Sequence, residues 1–192
     1  MHEIEPYYNW RSKYIAEQDE RSPFYGRTYN EFQYEQTIYN YYIHPQWDEI
    51  GSPTLYLKIL FVDYSQRYCI IELFGEWNDC IHNDIMYFKQ NVINALLKEG
   101  IVRFILIGEN VLNFHYSDDS YYEDWYEDIK DDDGWIALIN FREHVLEEMN
   151  RCGLQYYLHY GKILNDIPWR PLKPQKLYEG IDKLMIRKLE MG

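Results

Sequence analysis

The chain has 192 residues, of which 46% are hydrophobic and 18% aromatic, and its formal net charge is −13. A chain of this length and apolar content can bury a core without disulfides or metal ions, which excludes bulk disorder. The acidic balance and the lack of a basic stripe predict no nucleic acid and no anionic membrane surface as partner, since phosphates would be repelled.

The three cysteines, Cys69, Cys80 and Cys152, form no CxxC pair, and their odd number does not fit a secreted disulfide framework. The first ten residues, MHEIEPYYNW, lack the basic and apolar regions of a signal peptide. The apolar runs are of strand length, far below the ~20 residues that span a bilayer. We therefore expect a protein of the cytoplasm.

Residues 1–50 form a tyrosine-rich N-terminal arm. The helical spacing of Trp10, Tyr14 and Ile15 predicts a short helix there, which ends at Ser22-Pro23. Within residues 24–43 apolar and polar side chains alternate with a period of two, which predicts one or two antiparallel strands. The alternating positions are Phe32, Tyr34, Gln36 and Ile38.

The α/β core is expected to begin with a hairpin of residues 54–64 and 67–74, both rich in β-branched and aromatic side chains. Residues 84–99 carry apolar side chains at helical spacing, and Gly100 supplies a left-handed stop. The nearly continuous apolar run at 101–107 is typical of a strand covered on both faces.

The next stretch, residues 118–135, contains nine carboxylates, one lysine and five aromatic residues. Its rings and one isoleucine recur at i, i+1, i+4, i+5 and i+8, which predicts an amphipathic helix. Ser120 and Glu123 have the spacing of a capping box. The carboxylates on the opposite, exposed face are Glu123, Asp124, Glu127 and Asp128.

The remaining elements alternate. We predict a strand at 135–140, a helix at 141–151 capped by Asn140 and Glu143, a strand at 154–158 and a final helix at 175–189. Strands linked by helices should be parallel. The fold class is therefore α/β (or α+β), with a mixed sheet in a single domain that comprises the arm (1–50) and the core (54–189).

A hairpin followed by alternating helices and strands resembles, in outline only, the STAS domains of bacterial anti-sigma-factor antagonists. In that family a phosphorylatable serine follows a strand at the start of a helix, and Asp119-Ser120 is similar in kind and placement. The resemblance implies Ser120 as a candidate phosphosite. Tyr121-Tyr122 replaces the Ser-Gly that often follows in the family, and four neighbouring carboxylates would repel a phosphate.

The sequence predicts no cofactor and no metal centre. It lacks GxGxxG, the P-loop, GxSxG and HExxH. If Gly134 is placed at the sixth position of a calcium loop, Ile129 and Asn140 occupy the first and last positions, where acids are needed. A nonspecific cation site at Asp128, Asp131 and Asp133 is left open by this reasoning.

Two functions from different classes are compatible with these features. The first is a non-catalytic protein-interaction or regulatory domain that binds a protein partner, basic in character, through the exposed carboxylates, and that self-associates through residues 25–42. The alternative is a small-molecule enzyme or sensor that uses the crevice beyond the carboxyl ends of the parallel strands. The candidate crevice residues are Glu109, Asn110, Asn140, Arg142 and His159.

Overall fold

The computed structural model describes residues 2–190 of the chain, and the side chains of residues 2–187. A small sheet lies in the N-terminal arm. It contains β1 (His2–Ile4), β2 (Thr37–Ile38) and β3 (Tyr41–Ile43), in the order β1-β3-β2. Strand β1 runs parallel to β3, and β2 runs antiparallel to it.

The main sheet has five strands in the order β4-β5-β6-β7-β8. Strands β4, β5 and β6 pair antiparallel, whereas β6, β7 and β8 pair parallel. Their bounds are β4 (Asp48–Glu49), β5 (Leu55–Asp63), β6 (Tyr68–Asn78), β7 (Arg103–His115) and β8 (Trp135–Ile139). The mixed α/β architecture and the hairpin predicted from the sequence are confirmed.

Six α-helices connect or follow these strands among the described residues. They are α1 (Asp79–His82), α2 (Asp84–Phe88), α3 (Asn94–Lys98), α4 (Ser120–Lys130), α5 (Glu143–Arg151) and α6 (Pro174–Glu190). A π-helical segment, Lys89–Ile93, joins α2 to α3, so the predicted helix at 84–99 is one continuous rod with a wider turn in its middle. Such a segment is uncommon in proteins and moves side chains out of α-helical register.

The two faces of the main sheet are covered by different parts of the chain. On the first face, Ile71 and Leu106 pack beneath helices α2 to α5, which contribute Phe88, Trp125 and Val145. On the second face lie the alternate strand residues, with apolar side chains from the arm, the Pro-rich loop and α6 packed over them. Members of this second cluster are Ile70, Ile105, Trp10, Trp169 and Ile181.

The structure corrects the elements predicted in the arm. No helix contains Trp10 and Tyr14, which lie in turns before a 3-10 turn at Ala16–Gln18. The antiparallel strands predicted within residues 24–43 are found at β2 and β3, whereas residues 24–36, with Phe32, Tyr34 and Gln36, form an irregular loop. This loop is held by polar side chains, since Tyr29 bonds to the buried Asp48 and Arg27 lies 3.2 Å from the same carboxylate.

The last predicted strand is also wrong. Residues Leu154–Tyr156 form a 3-10 turn that starts after Gly153 in the left-handed conformation, and only a single parallel bridge joins His159 to Ala137. Two backbone hydrogen bonds of His159, to Ile136 and Leu138, still cover the outer edge of β8. The aromatic composition of residues 154–158 predicted a strand, but the 3-10 turn directs the backbone so that only His159 pairs with β8.

Aromatic rings close the second face of the sheet. Tyr7 and Trp10 pack edge-on against Trp169, with ring centroids 4.7 and 5.5 Å from it. The indole of Trp10 donates to the carbonyl of Leu172 at 3.0 Å, and the backbone amide of Tyr7 donates to the carboxylate of Glu72 at 2.8 Å. The N-terminal arm is therefore bound to the sheet and to the loop before α6.

Glu72 makes the stability of this closure depend on pH. Burial raises the pKa of Glu72 to about 7, although the Tyr7 amide and the charge of Arg170 act to lower it. In the unfolded chain the pKa of a glutamate is about 4.3. The stability that protonated Glu72 contributes is therefore fully present below that value and is lost as the pH rises through about 7.

We predict that Glu72→Gln, which keeps an acceptor for the Tyr7 amide, removes this loss. Between pH 5 and 8 the free energy of unfolding of the wild type should fall relative to the variant by about 3 kcal/mol. Urea denaturation at several pH values measures the difference. Glu147→Gln, on the exposed side of α5, is the control, and parallel pH curves for wild type and Glu72→Gln would contradict the prediction.

Candidate functional site

Helix α4 separates rings and carboxylates as predicted. Its side chains Tyr122, Trp125 and Ile129 have no exposed surface, whereas Glu123 and Glu127 are exposed. Trp125 packs edge-on against Phe88 and Phe104, with ring centroids 5.5 and 5.0 Å away, and so reaches both α2 and β7. The predicted amphipathic helix between two parallel strands is confirmed.

The first turn of α4 differs from the predicted capping box. Asp119 is the N-cap, Ser120 is the first helical residue, and the amide of Glu123 donates to the backbone carbonyl of Asp119. The hydroxyl and the amide of Ser120 both donate to Asp118, and these hydrogen bonds lower the pKa of Asp118. The Ser120 side chain is exposed, and its phosphorylation stays a prediction.

A buried lysine lies under the acidic side of α4. Lys89 belongs to the π-helical segment and is 2% exposed. Its ammonium group lies 2.7 Å from Asp124, 2.8 Å from Asp128 and 2.7 Å from the side-chain oxygen of Asn94. The i, i+4 spacing of the two aspartates places both carboxylates over one cation. Lys89 thereby joins α4 to the helix that follows β6.

The remaining carboxylates of this region are only partly balanced by cations. Lys130 lies 2.5 Å from Glu127, and Arg67 lies 3.0 Å from Asp132. Counting Lys89, three cations face nine carboxylates between residues 118 and 133, which gives a net charge of −6. We call these nine carboxylates, with α4 at their centre, the acidic surface.

The aspartates proposed as a nonspecific cation site, Asp128, Asp131 and Asp133, do not form a cluster of ligand atoms within the part of the chain that the structure describes. There, one group of three potential metal ligands comes together, Glu3, Glu5 and His44. The backbone amide of Gln46 donates to Nδ1 of His44 at 3.1 Å. A neutral ring therefore carries its proton on Nε2, the atom that faces the two carboxylates, which disfavours a metal at that atom.

Glu109, Asn140 and Arg142 of the predicted crevice lie together, but their polar groups are hydrogen-bonded to one another and to other residues of the chain. Glu109 and Asn110 lie within β7, because this strand continues to His115. The carboxylate of Glu109 accepts from Arg170, from the indole of Trp169 at 2.9 Å and from Asn140 at 3.2 Å. Burial acts to raise the pKa of Glu109, but these hydrogen bonds outweigh it and lower the pKa.

The other residues of the predicted crevice also make their contacts within the chain. Asn140 has a left-handed backbone and exchanges two hydrogen bonds with Ile167, so it anchors the Pro-rich loop and does not cap α5. Arg142 donates to the Glu109 carbonyl at 3.4 Å. Asn110 is paired with Phe74 in the sheet, and His159 bridges to β8. The loop thus covers this edge of the sheet.

Sequence reasoning missed two buried carboxylates at the carboxyl end of β6. Asp79 accepts from the hydroxyl of Tyr122 at 2.6 Å and from the indole of Trp77 at 3.1 Å, and burial raises its pKa to about 7. Asp84 accepts from the Asn78 amide at 2.7 Å. Their position after a strand was visible in the sequence, but no pattern distinguished them from exposed helix caps. By accepting from Trp77 of β6 and from Tyr122 of α4, Asp79 forms a second polar connection between these two elements.

The tyrosine-rich arm exposes several rings. Phe32 is 92% exposed at the tip of the loop. Tyr34 packs edge-on against Tyr42 and bonds to Glu3, so part of the ring surface is used within the arm. Self-association through residues 25–42 stays a prediction.

Comparisons with known proteins give little further information. No family model matches the sequence, and no curated protein matches it at a significant level. A search of solved structures finds the Bacillus cell fate determinant SpoIIAA in its phosphorylated form, with a TM-score of 0.40 and 14% sequence identity. The match covers 55% of this chain and 91% of SpoIIAA. None of the described helices is long and apolar enough to cross a membrane.

The burial of Lys89 predicts unequal effects of mutations on the two sides of its ion pairs. Lys89→Met should lower the free energy of unfolding by less than about 1 kcal/mol, since Asp124 and Asp128 are 61% and 45% exposed and can be solvated. The double variant Asp124→Asn/Asp128→Asn should cost about 3 kcal/mol, because it leaves a buried cation without counter-charge.

Urea denaturation of the variants measures both effects. Glu123→Gln/Glu127→Gln removes the same number of charges from the same helix without touching Lys89, and we expect it to be nearly neutral. A double asparagine variant as stable as the Glu123→Gln/Glu127→Gln control would show that the ammonium group is not buried against these two acids.

Proposed function

We propose that this protein is a non-catalytic interaction domain that binds a basic segment of a partner protein through the acidic surface. One observation carries the proposal: the nine carboxylates within α4 and on either side of it are balanced by three cations among the described residues, which leaves a net charge of −6. The same helix is fixed from below by Trp125 and Lys89. A fixed array of like charges loses little conformational freedom when a partner binds.

Electrostatics supports a basic partner. A patch of one sign raises the local concentration of an oppositely charged segment and speeds encounter, while it disfavours acidic partners. Within the acidic surface, Asp124 and Asp128 already share Lys89 as counter-ion, whereas Glu123 makes no ion pair among the described residues. We infer that Glu123 contributes most to recognition, followed by Glu127, whose pair with Lys130 is exposed to solvent. Reversing the charges of both leaves the Lys89 pairs intact.

The carboxylates at the sheet edge that an enzyme could use as acids or bases already accept hydrogen bonds from the chain, which fits a binding role better than catalysis. Glu109, Asp79 and Asp84 each accept hydrogen bonds from the chain's own side chains or amides at the sheet edge. These contacts are those of structural anchors. The setting we propose is a reducing compartment such as the cytoplasm, which suits the three free cysteines.

The test uses a fluorescent lysine-rich peptide and a matched peptide with glutamine in place of lysine. We expect the lysine peptide to bind, measured by fluorescence anisotropy, with an affinity that falls as salt is added. Glu123→Lys/Glu127→Lys should weaken binding by about tenfold or more, which is a loss of at least 1.4 kcal/mol of binding free energy.

The matched control is Glu147→Lys/Glu179→Lys, which changes the net charge equally on α5 and α6 and should leave most of the affinity. Equal losses in both double variants would mean that net charge alone attracts the peptide and that the acidic surface is not a site. Equal binding of the two peptides would also reject the proposal.

A further inference from the structure

A cavity of about 440 Å³ lies between the N-terminal arm and strand β5, away from α4. Its floor is formed by Lys58, Ile59 and Leu60 of β5, and its walls come from two stretches of the arm and from the segment between β3 and β4. This volume is in the range of sites for small molecules. No sequence pattern indicates the cavity, because its lining residues come from stretches that are far apart in the chain.

The cations of the cavity are already paired with acids. Arg11 lies 3.0 Å from Glu17. Lys58, which is 6% exposed, lies 3.3 Å from the buried Asp48 and 3.5 Å from Glu17. The ammonium group of Lys58 also donates to the hydroxyl of Tyr29 at 3.0 Å. The charges of Arg11 and Lys58 are therefore neutralised by acids of the chain. Neither side chain offers an unpaired charge to a simple anion.

Two further carboxylates of the cavity have no permanent cation beside them in the part of the chain that the structure describes. Glu5 faces Nε2 of His44 at 3.6 Å, which is a charged contact only when the ring is protonated. Glu31 is exposed and accepts from the side-chain amide of Gln46 at 2.9 Å. The unbalanced charge in the cavity is thus negative, and its two carboxylates come from the arm and from the loop before β2.

Gln46 adds a directed acceptor to the same cavity. Its amide nitrogen donates to Glu31, which fixes the orientation of the group and leaves the oxygen Oε1 as its free acceptor. Gln46 is 9% exposed, and its Oε1 is buried without a hydrogen-bond partner among the described residues. A buried acceptor without a donor has lost its hydrogen bonds to water and destabilises the folded state. A ligand with an N–H group would satisfy it.

Tyrosine rings complete the lining. Tyr7, Tyr8 and Tyr14 line the arm side of the cavity. Tyr7 is held by Trp169, and the hydroxyl of Tyr14 donates to Asp19 at 2.8 Å, so both rings are fixed. Aromatic faces attract organic cations, and they do so more strongly where water is excluded.

We propose that this cavity binds a small organic amine, positively charged and with N–H donors, of the size of a short diamine. Its ammonium groups would pair with Glu5 and Glu31, one N–H would donate to Gln46 Oε1, and its methylene groups would pack on the tyrosine rings. The proposal rests on the cavity alone and is independent of the function proposed for the acidic surface.

The experiment titrates the full chain with 1,4-diaminobutane by calorimetry and by ¹H–¹⁵N NMR. We expect one bound molecule per chain and a shift of the Gln46 side-chain amide signals. Tetramethylammonium ion, a cation without N–H donors, should bind at least tenfold more weakly, and acetate should not compete. Glu5→Gln and Glu31→Gln should each weaken the diamine about tenfold, as expected for the loss of one charge-assisted hydrogen bond.

Glu20→Gln, an exposed glutamate of the same arm outside the cavity, is the control and should bind as the wild type does. Folding of each variant is checked by the NMR signals of β7 and β8. Three results would overturn the proposal: no heat and no shift at millimolar diamine, equal weakening in Glu20→Gln, or tighter binding of acetate than of diamine. Each of these outcomes leaves the peptide experiment on α4 unaffected.

Discussion

As long as Lys89 is buried, helix α4 has to keep two carboxylates beside it. Lys89 leaves water almost completely, and that cost is recovered only if Asp124 and Asp128 stay within hydrogen-bond distance of it. The same lysine belongs to the helical rod that covers β6, so α4 is tied to the centre of the sheet as well as to its own strands. The carboxylates on the outer face are consequently presented in one fixed arrangement.

Hydrophobic periodicity predicted the fold class because it reports burial directly. The hairpin and the parallel strands were predictable from continuous apolar runs, and α4 from rings on one side. The arm was not, because its loop is held by polar contacts such as those of Tyr29 with Asp48 and Lys58, which leave no period in the sequence. The misplaced strand at 154–158 had strand composition, but Gly153 turns the backbone away.

The sites were less predictable than the fold. The carboxylates of α4 could be assigned to an exposed face, but their counter-ion Lys89 is 35 residues earlier, and only the folded chain brings them together. Glu109 was correctly placed with Asn140 and Arg142, yet the loop that binds it carries its own arginine, Arg170. A sequence lists such groups without showing which of them are already satisfied by a partner distant in the chain.

The acidic face of α4 is a fixed surface only if this helix is as firmly held as the core of the sheet. Native-state hydrogen exchange measures this most directly, by comparing the amides of Trp125 and Asp128 with those of Leu106 in β7. We expect all three amides to exchange through global unfolding, with opening free energies within about 1 kcal/mol of one another. Exchange of the α4 amides through a local opening several kcal/mol easier than that of Leu106 would contradict it.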